Sequence, residues 1–135
     1  MKDLLNNRVS IRKFQTKEID NQLLNELLKD SFNASTTGNM QLYSVVVTKD
    51  KSQKEKLAPS HFSQPAFMNA PVILTFCADY NRFIKWCNLR EATPGYNNFQ
   101  SFITASIDAL IVAQTFSMLA EEKGLGICYL GTTTY

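Results

Sequence analysis

Between Ser101 and Lys123 the apolar residues Ile103, Ile107, Leu110, Ile111, Phe116, Met118 and Leu119 spread around most of a helix circumference. A helix that is apolar nearly all round has to be covered on more than one side. The segment is therefore expected to be a long buried helix, with a second subunit as one source of the cover. Gly124 is placed to cap it, Leu125-Gly126 makes a turn, and Ile127-Cys128-Tyr129-Leu130 reads as a further buried strand. A chain of 135 residues is long enough for one domain built around such a helix and too short for two independent cores.

The other elements alternate. From Glu18 to Phe32, Ile19, Leu23, Leu24, Leu27, Leu28 and Phe32 recur at helical spacing, leaving Gln22, Glu26 and Lys29 for solvent. Leu42 to Thr48 is short and β-branched, which predicts a strand ended by Lys49-Asp50. Asp50 to Ala58 is helix-forming and stops at Pro59, and Ser60 to Asn69 has neither period and reads as loop. Pro71 to Ala78 is a largely continuous apolar run, as in a strand covered on both faces, closed by Asp79-Tyr80-Asn81. The turn-rich stretch within Asn88 to Gln100 predicts a mobile surface segment or part of a pocket wall. The expected order is helix, strand, helix, strand, helix, strand.

Composition excludes several classes. An apolar fraction of 44% and a charged fraction of 19% are ordinary for a soluble globular protein. A net charge of +2 is too small for a phosphate-backbone partner, and Lys49, Lys51, Lys54 and Lys56 are interleaved with Asp50 and Glu55, as on a solvated helix face. Cys77, Cys87 and Cys128 are odd in number and widely spaced, indicating buried or free thiols rather than a disulfide framework or a zinc site. Met1 to Asn7 lacks the apolar core of a signal peptide, and no uninterrupted apolar run approaches the length of a bilayer span. A reducing cytoplasm is the expected address.

Three segments carry candidate chemistry. In Arg8-Val9-Ser10-Ile11-Arg12-Lys13-Phe14 two guanidinium groups and a hydroxyl stand at alternate positions, so in extended backbone Arg8, Ser10 and Arg12 share a side and can converge on one anion. Plain surface charge is the other reading. Asn33 to Gln41 offers small hydroxyl and amide side chains that let backbone N–H groups approach a ligand, or forms an ordinary connection. Gly124-Leu125-Gly126 follows a helix and precedes a strand, the reverse of a dinucleotide-binding glycine turn, which rules out a Rossmann nicotinamide site. His61, in the irregular loop without an acidic or cysteine neighbour, is expected at the surface rather than in catalysis.

Together these segments resemble the nitroreductase family, in particular its FMN-dependent NAD(P)H oxidoreductases. Arg8 with Ser10-Ile11-Arg12 and Phe14 is similar to the family opening. Ala34 to Gln41 with Ser44 resembles its serine-rich loop and strand entry. Gln64 stands before an apolar strand leading into Phe76-Cys77-Ala78-Asp79, as the family glutamine does. Ala120 to Gly126 through Tyr129-Leu130-Gly131 resembles its most recognisable stretch.

The resemblance implies an α/β (α+β) fold, a single domain over residues 1–135, with a central sheet flanked by helices and the long buried helix at a homodimer interface. It implies tightly bound FMN, with NAD(P)H as donor, in a ping-pong cycle. Hydride passes to flavin N5 and two electrons then pass to a nitroaromatic, a quinone or a free flavin. Arg8, Ser10 and Arg12 would hold the phosphate and ribityl chain, with Val9 and Ile11 supplying backbone and wall. Thr36 would reach the flavin bound mainly by the partner subunit, Gln64 would bond the polar edge of the ring, and Tyr129, Leu130, Gly131 and Thr132 would lie beside it. No side-chain acid is required, and Tyr96, Phe99 and Phe102 are candidates for the acceptor side. The alternative is a non-catalytic flavin-binding or flavin-sequestering protein. Val9 stands where the family commonly has a basic residue and Thr132 where a second glycine is frequent. Family members also continue past the point matching Tyr135, so the natural polypeptide is expected to continue and to add a further Lys or Arg to the phosphate site.

Overall fold

The structure is a computed structural model and describes residues 2–95 and 97–131. A short helix α1 spans Lys2–Asn7, buries nothing and was not expected from the sequence. Helix α2 spans Asn21–Ser31, shorter than its apolar pattern because the Asp20 carboxylate accepts the Leu23 N–H at 3.0 Å and fixes the first turn. It buries Leu24 and Leu27.

Strands β1 (Tyr43–Thr48) and β2 (Ile73–Ala78) pair antiparallel from Tyr43 opposite Ala78 to Thr48 opposite Ile73. Between them lie α3 (Lys51–Leu57), started by the Asp50 cap, a tight turn at Ala58–His61, and α4 (Pro65–Asn69). Residues 60–69 are thus not the expected loop. Pro65 at the start of α4 has its φ preset for a helix and no N–H to leave unpaired, and five residues are too few to show a period. His61 is buried rather than exposed, its ring stacked on Phe67 with centroids 4.3 Å apart, and the loss of solvent lowers its pKa.

Strand β2 has one strand partner among the described residues, β1, and its side chains are only half-buried, so it is not the covered middle strand that its apolar run suggests. Asp79 closes β2 as expected and also caps an unforeseen helix, α5 (Tyr80–Leu89), by accepting the Arg82 N–H at 3.0 Å. Ile127 to Leu130 forms no regular strand. The Ile127 carbonyl accepts the Ile11 N–H at 2.9 Å, and one such bond does not make a ladder.

The long helix α6 spans Phe99–Glu122. The Asn98 side chain accepts the Gln100 N–H at 2.9 Å, and Ser101 Oγ accepts the Asn98 N–H at 3.2 Å. Gly124, at φ 77°, ends the helix as expected. Its N–H reaches the Glu121 carbonyl at 3.0 Å and the Leu125 N–H reaches Ala120, also at 3.0 Å, so the last turn is closed by a left-handed residue. This chain itself buries one face of α6, one of the sides expected to be covered. That face carries Thr104, Ala105, Asp108, Val112, Ser117 and Ala120, while Phe102, Ile107 and Leu110 are 58, 47 and 65% exposed. Beside Val112 and Phe116 the inner face is made of small and polar residues, while Phe99, Phe102, Ile107 and Leu110 lie outside, unlike a solvated surface helix. By length and apolarity α6 would also qualify as a membrane span, but its buried face packs on α2 and both strands, as a core helix does.

Leu24 and Leu27 of α2 meet Phe116 and Ala120 of α6, with Leu74, Phe76, Leu125 and Ile127 against them. A cavity of about 1090 Å³ opens beside β2, walled by Leu24, Leu74, Phe76, Phe116 and Ile127. Its wall also includes Lys13, Glu18 and Asp20, together with Ile11, Tyr129 and Leu130, so the apolar cluster and the two predicted site segments border one open space. Cys87 is buried, Cys77 and Cys128 are half-buried, and all three are free thiols.

Candidate functional site

Residues 8–14 adopt no regular element. Arg8, Val9, Ser10 and Arg12 are exposed, and Ile11 alone among positions 8–12 turns partly inward. Two features fix Ile11. Its N–H donates to Ile127, and its side chain lies so close to Gly126 that a Cβ there would meet Cγ2 at 2.8 Å and Cβ at 2.9 Å. Glycine at 126 thus permits the amino-terminal segment to dock beside residues 127–130. Gly126→Ala is expected to push the segment off at a cost of about 1 to 3 kcal/mol. A lowered melting temperature together with faster tryptic cleavage after Arg8 or Arg12 checks this, and an unchanged digest would refute it.

Docking brings the first predicted segment to the last. Arg8 Nε donates to both carboxylate oxygens of Glu121 on α6, at 3.0 and 3.2 Å, with the two side chains 32 and 10% exposed. One and two turns back along α6, Ser117 Oγ donates to the Tyr129 hydroxyl at 2.9 Å, which in turn reaches Gln114 Oε1 at 3.5 Å. Burial raises the Tyr129 pKa, with the Ser117 hydrogen bond and the Arg8 charge acting against it. Gln114, Ser117 and Glu121 therefore form a polar stripe that holds both segments. None was singled out from the sequence, although three polar residues at spacing i, i+3, i+7 in an apolar helix are a legible signal. Leu130 is half-buried beside them, Gly131 is exposed, and Thr132 lies outside the described residues.

The loop before β1 is held from two other elements. Asp108, fully buried on α6, accepts the Thr37 N–H at 2.9 Å through Oδ1 and the Leu42 N–H at 3.2 Å through Oδ2. Arg82 Nη2 donates to the Gln41 carbonyl, and Ser44 Oγ donates to Asp79 Oδ2 at 2.5 Å, a bond that holds the Asp79 carboxyl below its ordinary pKa. Between these clamps Gly38, Asn39 and Gln41 all take left-handed backbone, at φ 55, 55 and 52°. Such strain in non-glycine residues persists only where surroundings over-determine it, and it is common at ligand sites. Within this loop the Thr36 hydroxyl is buried with no hydrogen-bond partner among the described residues. Gln64 stands apart at the start of α4, half-buried, its side chain making no cap bond.

The structure thus ties the 8–12 segment, through Ile11 and Arg8, to Gly126, Ile127 and the end of α6, and places Thr36 and Gln64 on separate elements. Phe99 and Phe102 face outward with ring centroids 6.0 Å apart, and Tyr96 lies outside the described residues. No group of His, Cys, Asp and Glu among the described residues could hold a metal ion. What the arrangement offers is two exposed arginines and a serine on a segment tethered at Ile127 and Glu121, and, on a separate loop, a buried hydroxyl without a partner among the described residues.

The sequence profile of the nitroreductase family matches residues 5–135, and the chain belongs to that family. It is 32% identical over 130 residues to an FMN reductase (NADPH) of Bacillus subtilis (strain 168), a match covering 95% of this chain and 52% of the relative. Among solved structures it is similar to a proposed oxidoreductase from Bacteroides fragilis NCTC 9343, with 62% identity, a TM-score of 0.95 and coverage of 98% of this chain and 54% of the other. The NfrA1 nitroreductase from B. subtilis superposes with a TM-score of 0.91 at 30% identity, again over 98% and 54%. The chain spans about half the length of the curated relatives it matches. The likeness confirms the mixed helix-and-sheet class read from the sequence.

Proposed function

We propose that the protein is an FMN-dependent oxidoreductase that takes electrons from NAD(P)H and passes them, in a ping-pong cycle, to small organic acceptors such as nitroaromatics, quinones or flavins. The observation that carries this reading is the tether of the Arg8–Arg12 segment to the 127–131 segment through the Ile11 N–H and the Ile127 carbonyl, in a member of the nitroreductase family. The activity named for the Bacillus subtilis relative supports it.

The residues present fit FMN. Arg8 and Arg12 supply charge-assisted donors for a phosphate, Ser10 a hydroxyl, and Val9 and Ile11 the wall. Tyr129, Leu130, Gly131 and Thr132 flank the ring, Gln64 serves its polar edge, and the Thr36 hydroxyl, without a partner among the described residues, is available to a flavin held mainly by a second subunit. FMN supplies the hydride chemistry when bound, and the protein's share is binding, orientation and exclusion of water. Residues 1–135 act as one FMN-binding unit. The protein works as a homodimer through the exposed apolar face of α6, in the cytoplasm.

Purified protein mixed with NADPH without oxygen tests the reading. The expected result is a yellow protein whose flavin absorbance is lost at once on mixing. Colour that persists would mark a flavin store, and a colourless protein that takes up no FMN would leave only an anion-binding scaffold.

A further inference from the structure

The residues expected to meet FMN are themselves held by others, and the tie on Arg8 is the most specific. Arg8 belongs to a segment without regular structure, and its long side chain has much rotamer freedom to lose on binding. Its Nε is fixed at 3.0 and 3.2 Å to the two oxygens of Glu121, the next-to-last residue of a 24-residue helix. Glu121 is itself only 10% exposed. A guanidinium gripped by its Nε edge keeps its Nη1 and Nη2 amino groups, the forked end suited to two phosphate oxygens.

We propose that Glu121 is a positioning residue for the flavin phosphate: by taking the Nε edge of Arg8 it presents the forked end to the phosphate, and so sets the preference for FMN over riboflavin. This rests on the reading that Arg8 meets the FMN phosphate. The carboxylate costs some attraction for a phosphate by its own charge. It returns more by fixing Arg8 before the ligand arrives, since ordering a long side chain is otherwise charged to binding. Glu121 makes no contact with the flavin in this scheme, and its effect travels only through Arg8.

The test is the ratio of dissociation constants for riboflavin and FMN, measured by flavin fluorescence on the whole polypeptide. Wild type, Glu121→Gln, Glu121→Asp, Arg8→Ala and the Arg8→Ala/Glu121→Gln double variant are compared. Glu121→Gln is expected to weaken FMN binding about tenfold and to leave riboflavin binding unchanged, the scale of one charge-assisted hydrogen bond. Glu121→Asp, which keeps the charge, recovers part of the ratio, and the double variant binds FMN no more weakly than Arg8→Ala alone. A merely structural role would weaken both flavins together and would add to the Arg8→Ala loss, overturning the proposal. So would an unchanged ratio, or tighter FMN binding by Glu121→Gln. A wild-type protein that binds riboflavin as well as FMN would instead show that the phosphate reading itself is wrong. Should Glu121→Gln prove insoluble, Glu121→Asp and Arg8→Lys decide by the same ratio, because lysine keeps the charge and lacks the fork.

Discussion

With the proposed dimer seated on the outer face of α6, Leu110→Glu is expected to give a flavin-poor monomer while leaving each chain folded. Leu110 is 65% exposed at the middle of the apolar outer face of α6, between Ile107 and Ile111. In a lone chain a charge there is an ordinary surface substitution, within about 0.5 kcal/mol of neutral. In a twofold interface the same charge is buried without a partner in both subunits, at a cost of several kcal/mol. A loss of about 4 kcal/mol weakens association about a thousandfold. Sedimentation together with flavin content checks the outcome, and a Leu110→Glu protein that stays dimeric and yellow would place the interface elsewhere.

The second large effect is expected from Asp108→Ala. Removing the carboxylate leaves the Thr37 and Leu42 N–H groups without their acceptor, and each buried unsatisfied group costs about 1 to 3 kcal/mol. For a chain of this size that corresponds to a fall of roughly 10 °C in melting temperature. The loop of Gly38, Asn39 and Gln41 would also be loosened in its left-handed backbone, since it then loses its tie to α6 and keeps those to Arg82 and Asp79. Hydrogen exchange at residues 37–42 should rise well before the rest of the chain opens. Equal protection in wild type and variant would show that the loop is shaped by something other than Asp108.

The sequence is legible where one period or one cap decides the structure. The two strands, α2 and the end of α6 at Gly124 follow from such local rules. Helix α5 was readable and was missed, because Asp79-Tyr80-Asn81 looks like a turn when Asp79 is in fact the cap of Tyr80, Phe83, Ile84 and Cys87 at helical spacing. The inner face of α6 was not readable from a count of apolar residues, since alanine, serine and threonine stand there beside Val112 and Phe116 while Phe102, Ile107 and Leu110 lie outside. Residues 127–130 read as a strand because their side chains suit one, but a strand is made by its neighbours. At the site, motif residues declared themselves through what they could do for a ligand. Asp108, Gln114, Ser117 and Glu121 act on other parts of the chain, and contacts across 113 positions, as between Arg8 and Glu121, leave no local pattern.

That separation also sets when the site can come into being. Arg8 leaves the ribosome early, yet the carboxylate that orients it and the carbonyl that tethers Ile11 are made more than a hundred residues later. At about 5 to 20 residues per second, the interval is on the order of ten seconds. Through that time the amino-terminal arm has no fixed place, and loop closure of this length comes late in folding. A nascent chain paused before Glu121 is therefore expected to carry no ordered Arg8, and any anion site built on that arginine forms only after Glu121 has been made.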